Sequence, residues 1–68
     1  MEYKINLWEI RNEKGMSVRE LEVETGISHG RIWNIENNKS RAPDLLELTK
    51  LSIALKCKIT DLFESEYK

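Results

Sequence analysis

This chain is nearly devoid of the residues on which staples, metal centres and covalent catalysis depend. It has one cysteine, Cys57, and one histidine, His29, in 68 residues. A single cysteine excludes an internal disulfide, and one of each is too few for a His/Cys metal cluster. No nucleophile stands beside a base in a recognisable arrangement, no paired carboxylates form a site, and no glycine-rich phosphate loop is present. Neither catalysis nor a cofactor nor a metal is expected. No apolar run approaches the ~20 residues that span a bilayer. The opening MEYKINLWEI lacks the basic-then-apolar order of a secretion signal. A reduced, cytoplasmic setting is the expectation, in which Cys57 serves as a small apolar core residue.

A large charge of one sign is also missing, since the net charge is -1. The distribution is less even than the total. Residues 1–27 carry four bases and six acids, and residues 42–68 four bases and five acids. Residues 28–41 carry Arg31, Lys39 and Arg41 against Glu36 alone. Local sign sets the potential that a polyanion meets, so this short basic stretch is the candidate contact segment. The length allows one domain, residues 1–68, with a core over 5–63 and a polar tail over 64–68. A core this small needs dense helix packing or a partner.

What the chain does have is a sequence of helix starts and stops. Ile5 to Lys14 reads as a first helix, with Leu7, Ile10 and Arg11 on one face and Gly15 closing it. Ser17 stands three residues before Glu20, a capping-box spacing, and opens a second helix over about Val18–Thr25. Gly26 ends it, and Ser28 caps a third over about His29–Asn37, with Ile32 and Ile35 facing inward. Asn38 to Pro43 is a polar loop. Asp44 and Glu47 repeat the capping-box spacing before a stripe of Leu45, Leu48, Leu51 and Leu55. Thr60 is expected to cap a short fifth helix carrying Leu62 and Phe63. The reading is all-α, five helices and no strand. Helices two and three, joined by so tight a turn, form a helix-turn-helix, a unit that presents its second helix to the DNA major groove.

These pieces in this order resemble the phage-repressor and Cro type (XRE-like) of helix-turn-helix regulator. They are Ile10-Arg11, Gly15-Met16-Ser17, Glu20-Leu21, Gly26-Ile27-Ser28, Ile32, Ile35-Glu36-Asn37, Lys39, Pro43, the leucine stripe and Ile59 to Phe63. The resemblance covers about Leu7 to Phe63. It implies a compact, lambda-repressor-like bundle of five helices, a homodimer on double-stranded DNA, and regulation of transcription, with repression as the expected direction. Position by position, it implies a salt bridge between Arg11 and Glu36. The residues agree, since each charge borders an apolar stripe where it would be costly alone. It further implies phosphate contact by Asn37, Lys39, Ser40 and Arg41, and approach to base edges by His29, Gly30 and Asn34. Arg31 is assigned a phosphate or a guanine edge, which a guanidinium engages with two donors. Ser17 and Ser28 begin the helices whose free amides would grip phosphates.

Three positions depart from the family's usual residues. Val18 replaces a glutamine that binds phosphate or base. Glu22 replaces an alanine where the two helices approach closely, so its carboxylate must bend out to solvent or find a partner. Trp33 stands where the residue is usually small or polar. Its indole has three readings: a DNA contact on sugar or thymine methyl, a partner-facing surface, or packing against helix one near Trp8. Packing is the expectation. Leu46 and Ile53, off the main stripe, are the candidate dimer interface. The same departures support a second function, a protein-interaction module on this fold such as an antitoxin-like or anti-repressor partner.

Overall fold

The computed structural model describes residues 3–39 and 41–65. Four α-helices form the body: α1 over Leu7–Glu13, α2 over Val18–Thr25, α3 over His29–Glu36 and α4 over Leu45–Leu55. Two short strands, β1 over Tyr3–Ile5 and β2 over Phe63–Ser65, pair antiparallel with Ile5 opposite Phe63 and Tyr3 opposite Ser65. Among the described residues, this corrects the expected five helices and no strand. The fifth helix is a single 3-10 turn over Ile59–Asp61. Its start is held by Asp61, whose carboxylate accepts from the Lys58 amide at 3.0 Å, so Lys58 takes the cap position expected for Thr60.

The strand pairing explains both misread ends. Ile5 lies in β1 rather than in helix one. The Asn6 amide donates to the Leu62 carbonyl at 2.8 Å, and the Asn6 side-chain amide reaches the Asp61 carbonyl and the Glu64 carboxylate. The chain is thus tied to its own far end until Asn6, whose carbonyl accepts the first bond of α1 from Ile10. A three-residue turn adds too little helix to resist this pairing. Of the expected polar tail, Glu64 and Ser65 belong to β2, and residues 66–68 lie outside the described residues.

The helix boundaries follow from their caps. Ser17 Oγ accepts from the Glu20 amide at 3.0 Å, and Glu20 returns the bond to the Ser17 amide at 3.0 Å. The bond from the Ser17 amide, with the Ser17 side chain adding to it, holds the Glu20 carboxyl below its usual range. Asp44 and Glu47 do the same for α4 at 2.8 and 3.0 Å. Gly26 ends α2 at φ 75°, a backbone state that an L side chain resists. Among the described residues, the buried apolar ones are Ile5, Leu7, Leu21, Ile27, Ile32, Ile35, Leu51, Leu55 and Leu62. Of the α4 stripe, Leu51 and Leu55 are buried and Leu48 is half-buried, but Leu45 is exposed on the first turn. Cys57 packs against this core, and burial pushes its thiol up, with Asp61 adding to the effect. That is the behaviour of an inert thiol.

Candidate nucleic-acid interface

The α2–turn–α3 unit sets the direction of every side chain on α3. Ser28 Oγ accepts from the Arg31 amide at 3.2 Å and starts the helix. Ile32 and Ile35 are buried against the core. At about 3.6 residues per turn, the positions opposite those two are Gly30, Trp33, Asn34 and Asn37. Gly30, Trp33 and Asn37 are exposed and Asn34 is half-buried. His29 stands exposed at the helix start.

Two ion pairs clamp α3 from its flanks. Arg11 Nε meets Glu36 Oε2 at 2.6 Å and Nη2 meets Oε1 at 3.3 Å, with side-chain exposures of 13% and 5%. Arg11 Nη1 also donates to the Met16 carbonyl at 3.0 Å. The pair therefore binds α1, the turn after it and α3 together. On the other flank, Arg31 Nε and Nη2 donate to Glu47 at 2.8 and 2.9 Å. The remaining Arg31 donors reach the Arg41 carbonyl at 3.1 Å and the Ala42 carbonyl at 3.3 Å. Bonding to Glu47 raises the Arg31 pKa, and the Arg31 guanidinium holds the Glu47 carboxyl down to about 2.

The Arg31 guanidinium is thereby engaged inside the fold by one carboxylate and two carbonyls. Its role is to pin the loop of residues 41–43 to the first turn of α4. The helical wheel carried a signal for this: Arg31 borders the buried stripe of Ile32 and Ile35. Its partner lies 16 residues on, and nothing in the local spacing marks Glu47 as more than a cap.

The other expected contact residues stand as follows. Lys39 is exposed, and its amide closes α3 onto the Asn34 carbonyl at 2.8 Å. Arg41 is exposed but tethered, with Nη1 3.1 Å from Glu47 and 3.8 Å from Asp44. The Asn37 side-chain amide turns back to the Trp33 carbonyl at 2.9 Å, which leaves its oxygen facing out. Ser40 lies outside the described residues. The Ser17 and Ser28 hydroxyls are both used as caps. Among the described residues, the amides of Val18 and Arg19 on α2 and of Gly30 on α3 have no protein acceptor.

Glu22 has found its partner. Its Oε2 accepts from the His29 amide at 3.0 Å and lies 3.4 Å from His29 Nδ1. A protein carboxylate thus occupies one of the orphan amides at the start of α3. Trp33 does not fill a core gap as expected. It is 53% exposed and Trp8 is 54% exposed, so neither fills a core gap. On the helical wheel the Arg11–Glu36 pair takes the flank of α3 nearest Trp33, and Ile32 and Ile35 already complete the buried face. Leu46 and Ile53 are 63% and 72% exposed on α4. No helix is long and apolar enough to cross a membrane, and no cluster of metal-ligating side chains occurs among the described residues.

Residues 6–67 match the Cro/C1-type HTH DNA-binding domain family. The chain is also similar to the HTH-type transcriptional regulator SlrR of Bacillus subtilis (strain 168), at 36% identity over 56 residues. That alignment takes in 82% of this chain and 37% of the relative, so the chain spans well under half of the relative's length.

Proposed function

This chain belongs to the Cro/C1-type helix-turn-helix DNA-binding family, and from that premise we propose that it is a sequence-specific double-stranded DNA-binding regulator of transcription. It acts as a repressor and a homodimer in the cytoplasm, with α3 in the major groove. The observation that carries this reading is the outward face of α3. Gly30, Trp33, Asn34 and Asn37 point away from the core, and the two clamps hold that face rigid. The family is one of DNA-binding domains rather than of enzymes, in keeping with the absence of a nucleophile–base pair in the sequence.

In this reading Asn34 and His29 approach base edges, Asn34 by pairing with adenine. Lys39, Arg41, Asn37, Ser40 and the rims at Ser17 and Ser28 face phosphates, helped by the open amides of Val18, Arg19 and Gly30. Arg31 enters as a positioning residue that fixes the loop bearing Arg41. Leu46 and Ile53 supply the dimer surface, which doubles the sequence read by one short helix.

A gel shift against genomic fragments at low salt tests the reading. Selective retention of a few fragments is the expected result. Lys39→Ala and Arg41→Ala should weaken binding to all sequences alike and flatten the salt dependence by about one unit of slope per phosphate contact. Asn34→Ala should relax preference at one position. Indifference to all three changes overturns the major-groove arrangement. One observation supports the alternative of a protein-interaction module: the Glu22 carboxylate at the start of α3, beside the acids of α2, repels a phosphate backbone. That alternative forecasts no retained fragment and loss of partner binding on changes at Trp33 or Glu22.

A further inference from the structure

An apolar hollow of about 230 Å³ lies between the β1–β2 ribbon, the loop before α4 and α4 itself, and takes no residue from α2 or α3. Tyr3 and Ile5 alternate onto one face of β1, and Phe63 stands opposite Ile5. These three side chains form one wall, and Ala42, Pro43 and Leu48 form the other. Both walls are fixed. The ribbon is held by its own pairing, and Arg31 pins the loop through the Arg41 and Ala42 carbonyls at 3.1 and 3.3 Å. The hollow is therefore preformed, and filling it requires little further ordering of the chain.

A cation stands at its rim. The exposed Arg41 guanidinium lies beside Ala42, with Nη1 donating to the Ala42 carbonyl at 3.4 Å and to Glu47 at 3.1 Å. Glu47 already holds Arg31 on both oxygens, and Asp44 stays 3.8 Å from Arg41 Nη1. Among the described residues, Arg41 Nε and Nη2 have no protein acceptor.

We propose that this hollow binds a small aromatic carboxylate, with its ring between the two walls and its carboxylate on the open Nε and Nη2 donors of Arg41. The walls select the ring, since Tyr3 and Phe63 offer aromatic faces and edges to it. The volume limits it to one ring, because a cavity of roughly 150 Å³ already holds benzene. The rim selects the acid, as the paired donors of a guanidinium match the two oxygens of a carboxylate. One consequence rests on the DNA-binding reading above, in which Arg41 faces a phosphate. Ligand and DNA then compete for one guanidinium, and the ligand acts as an effector that loosens the complex.

The test titrates the full chain with benzoate and follows the amide signals of Tyr3, Ile5, Ala42 and Leu48 by NMR. Benzyl alcohol supplies the ring without the charge, and acetate the charge without the ring. Benzoate should shift these signals saturably, benzyl alcohol should bind about 2- to 5-fold more weakly, the scale of an exposed charge pair, and acetate should shift none of them. Arg41→Gln should bring benzoate down to the benzyl alcohol level. Ala42→Leu, at an exposed position, should fill the hollow from its rim and abolish binding of both ring compounds with the melting temperature unchanged. At equal ionic strength, saturating benzoate should release retained DNA fragments several-fold more than acetate does, and Arg41→Gln should erase that difference. Absence of saturable shifts, equal shifts with acetate, or undiminished benzoate binding in Ala42→Leu overturns the site and leaves the DNA-binding reading intact. Benzoate binding with no effect on fragment retention overturns the competition. Failure of wild type to retain any fragment, with benzoate still bound, overturns the DNA-binding reading and the competition together.

Discussion

Arg31 and Glu47 meet side-on, with two N–H donors on two carboxylate oxygens at 2.8 and 2.9 Å, and both side chains largely withdrawn from solvent. Glu47 serves three structures at once, because it also closes the α4 cap on the Asp44 amide and accepts from Arg41 at 3.1 Å. An arginine on α3, the second helix of the helix-turn-helix, is thereby engaged within the fold.

Arg31→Ala should destabilise the protein by ~1–3 kcal/mol, less than a fully buried pair because Arg41 remains as a second partner for Glu47. Arg31→Lys should recover only part of the loss, since an ammonium cannot span both oxygens and both loop carbonyls. Thermal unfolding of the two variants measures this. A Lys variant as stable as wild type would contradict the two-donor account.

The same pair sets an acid limit. Glu47 is held to about 2, chiefly by its bond to Arg31, below an ordinary value of 4.5. The folded state therefore releases this proton more readily than the unfolded chain. Its stabilisation is complete above about pH 4.5 and is lost as pH falls towards 2. About 1–2 kcal/mol should disappear over that window after allowance for screening at the rim. In Glu47→Gln, denaturant midpoints should show a correspondingly shallower dependence between those pH values.

Glu36→Ala should cost ~3–5 kcal/mol, because it strands the Arg11 guanidinium between α1 and α3. A midpoint shift under about 1 kcal/mol in chemical denaturation would show that solvent already satisfies Arg11.

Glu22 makes a forecast of opposite sign for folding and binding. Glu22→Gln keeps an acceptor for the His29 amide and removes the charge. It should cost no more than about 1 kcal/mol of stability while tightening DNA binding several-fold at low salt, as repulsion of the phosphates falls. Weaker binding in Glu22→Gln would mean that the carboxylate itself contacts the DNA, for instance at a cytosine amine.

Leu46→Glu and Ile53→Lys should each leave folding intact, because both positions are exposed, and abolish dimer formation. Sedimentation at tens of micromolar protein reads this directly. Wild type sedimenting as a monomer with and without DNA removes the basis for the homodimer.

The helix-turn-helix was legible in the residues because its determinants are local. Ser17 and Glu20 bond across three residues, as do Asp44 and Glu47, and Gly26 marks the turn by its own backbone preference. Ile32 and Ile35 fall inward whatever the helix packs on. The Arg11–Glu36 pairing was implied by the family resemblance, and the residues agreed with it, each charge lying beside an apolar stripe. Trp33 was misread because one wheel position says which way a ring points, not whether a neighbour is there to receive it.

The sequence by itself therefore determined α2, α3 and the start of α4, the caps at Ser17, Ser28 and Asp44, the inward face of α3 and the family. Tertiary structure decided the rest, wherever two groups far apart in the chain compete for one partner. Ile5 left helix one for Phe63, 58 residues away, since backbone pairing satisfied ends that one more turn of helix could not. Arg31 met Glu47, and of the two courses open to Glu22, solvent or a partner, the fold supplied the partner at His29. In each case a charge at the edge of the core gained more from a fixed partner at hydrogen-bond distance than from water. No window along the chain contains the fold that brings those partners near.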